Sequence, residues 1–137
     1  MATNEHEITI HGVPAHEVFA WIADLDGWDR WRRSAGRLEQ VTPGPVGVGT
    51  TWQASGRVLD QDIAVTIEVT AYQPGRRFGL RVAGSIQAKE TFNIEPIAEG
   101  TRLTMTLELA DVQLAEPARA QWDDDLSTLK RLLEAQP

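Results

Sequence analysis

Alternation of apolar and polar residues dominates the middle of the chain, over residues 63–109. A period of two is typical of β-strands with one face buried and the other in solvent. Interruptions at Pro74-Gly75, Gly84 and Glu99-Gly100 have the composition of hairpin turns. The chain must therefore fold around an antiparallel sheet whose apolar face carries Ile63, Val65, Ile67, Val69, Phe78, Leu80, Val82, Ile86, Ala88, Phe92, Ile94, Leu103, Met105, Leu107 and Leu109.

Three further stretches predict strands nearer the N-terminus. Ile8-Thr9-Ile10 alternates in the same way. Residues 42–50, rich in glycine and proline, separate a short strand near residues 38–41 from a longer one near residues 51–59. We expect about seven strands in all, each antiparallel to its neighbours.

Helical spacing of apolar residues predicts helices on both sides of these strands. Residues 15–25 form the first, preceded by Pro14, which suits a first helical turn. Asp26 and Asp29 resemble a helix cap with an acidic third position, which predicts a short second helix ending at Gly36. A long amphipathic helix from about residue 114 carries one apolar stripe, made of Trp122, Leu126, Leu129 and Leu133.

Composition excludes several classes of protein. The 137 residues suffice for a single domain spanning residues 1–137, and a net charge of -7 would repel nucleic acids and anionic membrane surfaces. The lack of cysteine removes disulfides and thiolate metal sites, and no apolar run reaches the roughly 20 residues of a membrane span. We expect a cytoplasmic protein with no nucleic-acid partner and no membrane insertion, and the oligomeric state stays open.

The order of the elements predicts an α+β fold. A strand, two short helices, the remaining strands and a terminal helix place one long helix against the apolar face of the sheet. A curved sheet of this size encloses more space than one helix fills. The remaining space is either packed with aromatic side chains or forms a ligand cavity.

The chain resembles the START and pollen-allergen-like superfamily, whose bacterial members are called polyketide cyclase/dehydrase or SRPBCC proteins. The resemblance covers nearly the whole chain and rests on the order of four motifs. These are VPAHEVFAWIAD at residues 13–24, WDRW at residues 28–31, VGVGT at residues 46–50 before Trp52, and the terminal helix. The resemblance implies a helix-grip fold, with the curved sheet wrapped around the C-terminal helix and a deep apolar cavity for lipids, polyketides or other hydrophobic molecules. It implies no shared catalytic motif.

Glu90 stands out because its phase in the strand points its carboxylate into the apolar face. Burial raises the pKa of such a carboxyl group, which suits general acid or base work near neutral pH. Two interpretations stay open. Glu90 contacts a ligand or transfers protons, or it lies near a cavity mouth or pairs with an arginine and has no chemical role.

Tryptophan is unusually frequent, with five copies against three of phenylalanine. Trp28 and Trp31 fall in the short second helix, where they either border a cavity mouth or wedge the helix onto the sheet. Trp52 is expected to point inward, with the small residues Ala54 and Gly56 leaving room beside it. The remaining two tryptophans, at positions 21 and 122, are expected to serve in packing.

The charged residues outside the sheet suggest surface roles. Arg30, Arg32 and Arg33 lie close to Asp26 and Asp29, which predicts surface ion pairs, although one arginine could meet an acidic ligand head group. The acidic run at residues 123–125 is expected to lie in solvent. Within that run, only its last residue, Asp125, could reach a cavity rim.

The sequence gives little support for a metal site or a phosphate-binding loop. His6, His11 and His16 do not share one face of a strand or helix, so we expect no metal site and no cofactor. Only His6 shares the face of Ile8 and Ile10. The glycines of residues 44–49 lack the lysine and the following helix of a phosphate loop, which favours a flexible rim loop.

Three functions stay open. The first is binding of a hydrophobic or aromatic small molecule in a cavity lined by Trp28, Trp31, Trp52, Val65, Ile67, Phe78, Leu80, Glu90, Phe92, Met105, Leu126 and Leu129. The second is a polyketide cyclase or dehydratase in which Glu90 acts as general acid or base. The third is a protein-interaction module similar to relatives of the heat-shock ATPase activators, which an exposed apolar patch of Trp28 and Trp31 would favour.

Overall fold

The computed structural model describes residues 1–32, 36–58 and 61–136. Within these residues seven strands form one curved antiparallel sheet, in the order β1-β7-β6-β5-β4-β3-β2. The strands are β1 (Ala2–His11), β2 (Arg37–Gln40), β3 (Thr51–Val58), β4 (Gln61–Gln73), β5 (Arg77–Gly84), β6 (Ala88–Ile97) and β7 (Gly100–Leu109). With the long terminal helix α2 (Ala115–Glu134), this confirms the predicted α+β, helix-grip fold. None of the described helices is long and apolar enough to cross a membrane.

The short second helix differs from the sequence prediction. Helix α1 (Ala15–Ala23) is followed by a tight 3₁₀ helix, Leu25–Arg30, whose first residue precedes the predicted cap Asp26. The Trp28 indole N–H donates to the carbonyl oxygen of Ile22 over 2.9 Å, which ties this turn back onto the end of α1. The predicted helix residue Arg33 and the predicted strand end Leu59 lie outside the described residues.

The concave face of the sheet carries the apolar phase that the alternation predicts. Along β7 every second side chain is buried, from Thr101 to Leu109. Helix α2 covers this face with its predicted stripe of Trp122, Leu126, Leu129 and Leu133, all of them buried. Burial of apolar surface, at roughly 25 cal/mol per Å², is therefore the main force that holds α2 on the sheet.

Polar side chains attach α2 along the edge strand β1. The Lys130 ammonium group donates to the carbonyl oxygen of Thr9 over 2.5 Å, and the His11 backbone N–H donates to the Glu134 carboxylate over 2.7 Å. Lys130 and Glu134 also bond each other at 2.7 Å. Edge strands present unpaired backbone groups, so these contacts satisfy the edge and fix the position of the helix.

We predict that this attachment weakens in acid. The His11 backbone N–H, and then the Lys130 ammonium group, hold the pKa of Glu134 below its ordinary value of 4.5. A lowered folded-state pKa contributes stability above that ordinary value and loses it as the pH falls through the folded pKa. Hydrogen exchange by NMR should show the protection factor of the His11 amide falling with acidification, and Glu134→Gln should remove that dependence.

Glu116→Gln is the matched control, because Glu116 lies on the same helix with its side chain 87% exposed. It should leave the protection of His11 unchanged. Equal pH dependence of that amide in wild-type protein and in Glu134→Gln would show that the carboxylate does not hold the edge.

Candidate functional site

A cavity of about 140 Å³ lies between the concave face of the sheet and the N-terminal half of α2. Its walls come from β3 to β7, and its roof from Leu114, Pro117, Ala118, Gln121 and Trp122. The other lining residues are Arg32, Ala54, Ser55, Gly56, Ile63, Val65, Ile67, Val82, Ile86, Ala88, Glu90, Leu107 and Leu109. An apolar cavity of about 150 Å³ admits benzene, so this space fits one ring.

Side-chain size determines where the space stays open. Ala54, Gly56, Ala88 and Ala118 face the cavity, and their short side chains leave it unfilled. At the other end of the concave face, aromatic rings pack edge to face and exclude space, as Phe19 does against Phe78 at 6.1 Å between ring centroids. The inward residues of the sheet therefore divide between a packed core and a cavity.

Only part of the predicted ligand-binding set lines this cavity. Val65, Ile67 and Glu90 do. The others are buried in the packed core away from it, namely Trp28, Trp31, Trp52, Phe78, Leu80, Phe92, Met105, Leu126 and Leu129. The inward phase of the strand residues among them was predicted correctly, but a period of two does not tell which inward positions lie beneath large side chains of α2. The small residues Ala54 and Gly56, noted beside Trp52, were the usable signal for the open end.

Of the two alternatives left open for Trp28 and Trp31, a cavity mouth or a wedge onto the sheet, the structure matches the wedge. Each is 1% exposed. Their rings contact each other at 5.5 Å, and Trp31 contacts Trp122 at 6.2 Å. The pair wedges the 3₁₀ turn into the core, and the exposed aromatic patch that would favour a protein-interaction module is absent at these two residues.

Arg32 lies at the cavity and not in a surface ion pair, contrary to expectation. Its side chain is 13% exposed, and its Nε donates to Oδ2 of Asp125 over 3.2 Å. The guanidinium group lies 3.9 Å from the centre of the Trp122 ring and 5.2 Å from that of Trp28. A guanidinium group stacked on aromatic faces gains a cation–π attraction, so Trp122, expected only to pack, also holds Arg32 beside the cavity.

The acidic run of α2 divides between solvent and interior. Asp125 is 2% exposed, so the expectation that the run lies in solvent is wrong for this residue; it bonds Arg32, which lines the cavity, but does not line the cavity itself. Asp123 is 65% exposed and bonds Nδ1 of the buried His6 at 2.6 Å. His6 points inward from β1, as its phase predicted.

Glu90 is the polar group at the centre of the site. It is 8% exposed, lies between Leu80 and Leu107 on the neighbouring strands, and its Oε1 has no hydrogen-bond partner among the described residues. Burial raises the pKa of Glu90 above its ordinary value of 4.5, and the positive charge of Arg32 offsets part of that rise. A neutral carboxyl group can donate one hydrogen bond and accept others, so Glu90 can meet a ligand oxygen or exchange a proton with it.

The glycine-rich loop is not a rim of this cavity, so that expectation is also wrong. None of residues 41–50 lines it. The Gly49 N–H instead donates to the carbonyl oxygen of Val69 over 2.9 Å, toward the other end of β4 from the lining residue Ile63. In the described part of the chain, no three histidine or acidic side chains gather as a metal site would need.

Broader depressions occur on the outer face of the sheet, and Arg77, Arg81 and Lys89 line one of them. Arg81 is paired there with Glu68. A few buried polar side-chain atoms have no hydrogen-bond partner among the described residues. None of them belongs to a residue that lines these depressions, whereas one belongs to Glu90, which lines the cavity. The cavity between the sheet and α2 is therefore the candidate site.

Solved structures share this fold at low sequence identity. Protein CV1439 from Chromobacterium violaceum superposes with a TM-score of 0.78 at 17% identity, covering 99% of this chain and 100% of that one. The Aha1 dimer from Colwellia psychrerythraea gives a TM-score of 0.72 at 20% identity, with 98% of each chain covered. At this identity the likeness concerns the fold alone.

Among curated proteins, a probable Xaa-Pro aminopeptidase P of Tuber melanosporum (strain Mel28) is 31% identical over 112 residues. The match covers 76% of this chain but 18% of the fungal protein, so the chain spans less than a fifth of that relative's length.

The family described as polyketide cyclase / dehydrase and lipid transport matches residues 1–135. This match spans nearly the whole chain and confirms the resemblance seen in the sequence. Together with the helix-grip fold, it shows that this protein belongs to the polyketide cyclase / dehydrase and lipid transport family, within the START/SRPBCC superfamily.

Proposed function

We propose that this protein binds an apolar or aromatic small molecule in the cavity between the sheet and the N-terminal half of α2. The observation that carries the proposal is a mostly apolar cavity between sheet and helix that contains one buried carboxyl group, that of Glu90. Pockets for small molecules combine these two features, because apolar walls supply affinity and a few polar groups set orientation. Family and fold both support a ligand-binding protein of the SRPBCC type.

The size of the cavity limits the ligand. A volume of about 140 Å³ holds a single ring, whereas sites for drug-sized ligands have roughly 300–1,000 Å³. Pro117 and Ala118 form the roof with few atoms and belong to the first turns of α2. A longer ligand would have to displace these turns, so one-ring compounds are the appropriate first probes.

Filling the cavity should abolish binding of such a probe. Ala118→Leu places extra methyl and methylene groups in the cavity, and one surplus methylene in an apolar pocket costs about tenfold or more in affinity. Titration of toluene followed by NMR should give saturable shifts at Val65 and Leu107 in wild-type protein, with affinity reduced at least about tenfold in Ala118→Leu.

Ala120→Leu is the matched control, since Ala120 is exposed on the same helix. It should bind toluene as wild type does. Toluene that leaves the cavity residues unshifted in wild type, or binds equally to both variants, would overturn the proposal.

The ionisation of Glu90 should make the stability of the fold depend on pH. A carboxyl group whose pKa is raised on folding lowers the free energy of unfolding as the pH rises from the unfolded value of 4.5 through the folded pKa. Glu90→Gln keeps the shape of the side chain but replaces the carboxyl group with an amide that cannot ionise. Urea denaturation should show the variant gaining stability relative to wild type at alkaline pH, with a difference that shrinks toward pH 4.5. A constant difference across this range would show that Glu90 keeps its charge when buried.

The same carboxyl group favours a second candidate function, acid–base catalysis of a cyclase or dehydratase type. A proton-transferring side chain contributes roughly 100-fold to 10,000-fold to a rate. If Glu90 transfers protons, Glu90→Gln should lower turnover of a poly-β-keto surrogate by about 100-fold or more while the surrogate still binds. An unchanged rate in Glu90→Gln, or no turnover by wild type, would leave binding as the function.

A further inference from the structure

The polar groups of the cavity restrict the chemistry of its ligand. Of the described lining side chains, only Arg32 and Glu90 are ionisable, and the other polar groups are those of Ser55 and Gln121 and the indole N–H of Trp122. Arg32 already donates to Asp125 over 3.2 Å. Glu90 lines the cavity, and its buried Oε1 has no hydrogen-bond partner among the residues that the structure describes.

The charges near the cavity disfavour an anionic ligand. One guanidinium group, that of Arg32, faces the buried acidic side chains of Asp125 and Glu90. A ligand carboxylate would place a third acidic group in the same desolvated region, and an unpaired buried charge is costly. A neutral oxygen adds no charge there and can bond the Glu90 carboxyl group.

We propose that the cavity takes a neutral, single-ring molecule whose one hydrogen-bonding oxygen lies against the Glu90 carboxyl group. This inference rests on the proposed function and adds the ligand's size, its charge and the position of its polar atom. The oxygen of a ketone or phenol would satisfy the carboxyl group, while the ring would contact the apolar walls.

Three compounds of nearly equal shape test this. Acetophenone carries a carbonyl oxygen, α-methylstyrene has a CH₂ group in place of that oxygen, and benzoate is the corresponding anion. In NMR titrations of wild-type protein between pH 5 and pH 8, acetophenone should bind about tenfold more tightly than α-methylstyrene at the acidic end, where the neutral Glu90 carboxyl group donates one more buried hydrogen bond to the carbonyl oxygen. Benzoate should bind weakest.

Variants of Glu90 locate the hydrogen bond. Glu90→Leu removes the group and should make acetophenone and α-methylstyrene bind equally. Glu90→Gln retains a donor and should restore most of the preference for acetophenone. Melting curves of both variants check that the fold is intact. The comparison of the three compounds on wild-type protein does not depend on the variants.

The outcomes separate this inference from the proposal on which it rests. Equal affinities of acetophenone and α-methylstyrene for wild type would overturn the inference and leave apolar ligand binding standing. Tightest binding by benzoate, or a preference that persists in Glu90→Leu, would overturn it as well. If none of the three compounds binds, the inference and the proposed function fail together.

Discussion

A single helix, α2, has to cover the concave face of a seven-stranded sheet, and this limit shapes both the core and the cavity. Helix α2 has 20 residues and a length of about 30 Å. Its C-terminal half carries leucines, and Lys130 and Glu134 attach it there to the β1 edge. Its first turns carry Pro117 and Ala118. Because these side chains are short, the same helix that seals one end of the sheet leaves an open space at the other.

Burying the polar groups around that space costs free energy, because they lose their hydration. A desolvated ion pair such as Arg32 with Asp125 adds little net stability, since the cost of desolvation offsets most of the attraction. Glu90 avoids part of that cost by favouring its neutral form, because burial raises its pKa. Neither feature is needed to hold α2, which packs through apolar contacts. Under the proposed function, these polar groups orient a ligand in the cavity.

Much of the fold could be predicted from the sequence, because strand phase is a local property. A period of two fixed the inward direction of Glu90 and His6, and helical spacing identified the stripe ending at Leu133. The site was harder to predict, because it depends on which distant side chains meet. Arg32 and Asp125 are 93 positions apart, and Trp28 is buried because the 3₁₀ turn folds back onto α1. The position of a residue in the strand alternation tells which face of the sheet its side chain lies on. It does not tell which part of that face is covered by large side chains of α2.

The open space beneath the first turns of α2 should admit a ring. Intermolecular NOEs between a bound one-ring probe and the methyl groups of the protein test this most directly. We expect NOEs from the ring protons to Val65, Leu107 and Leu114, which line the cavity, and none to Leu129, which lies in the packed core. NOEs to Leu129 without any to the cavity methyl groups would contradict it.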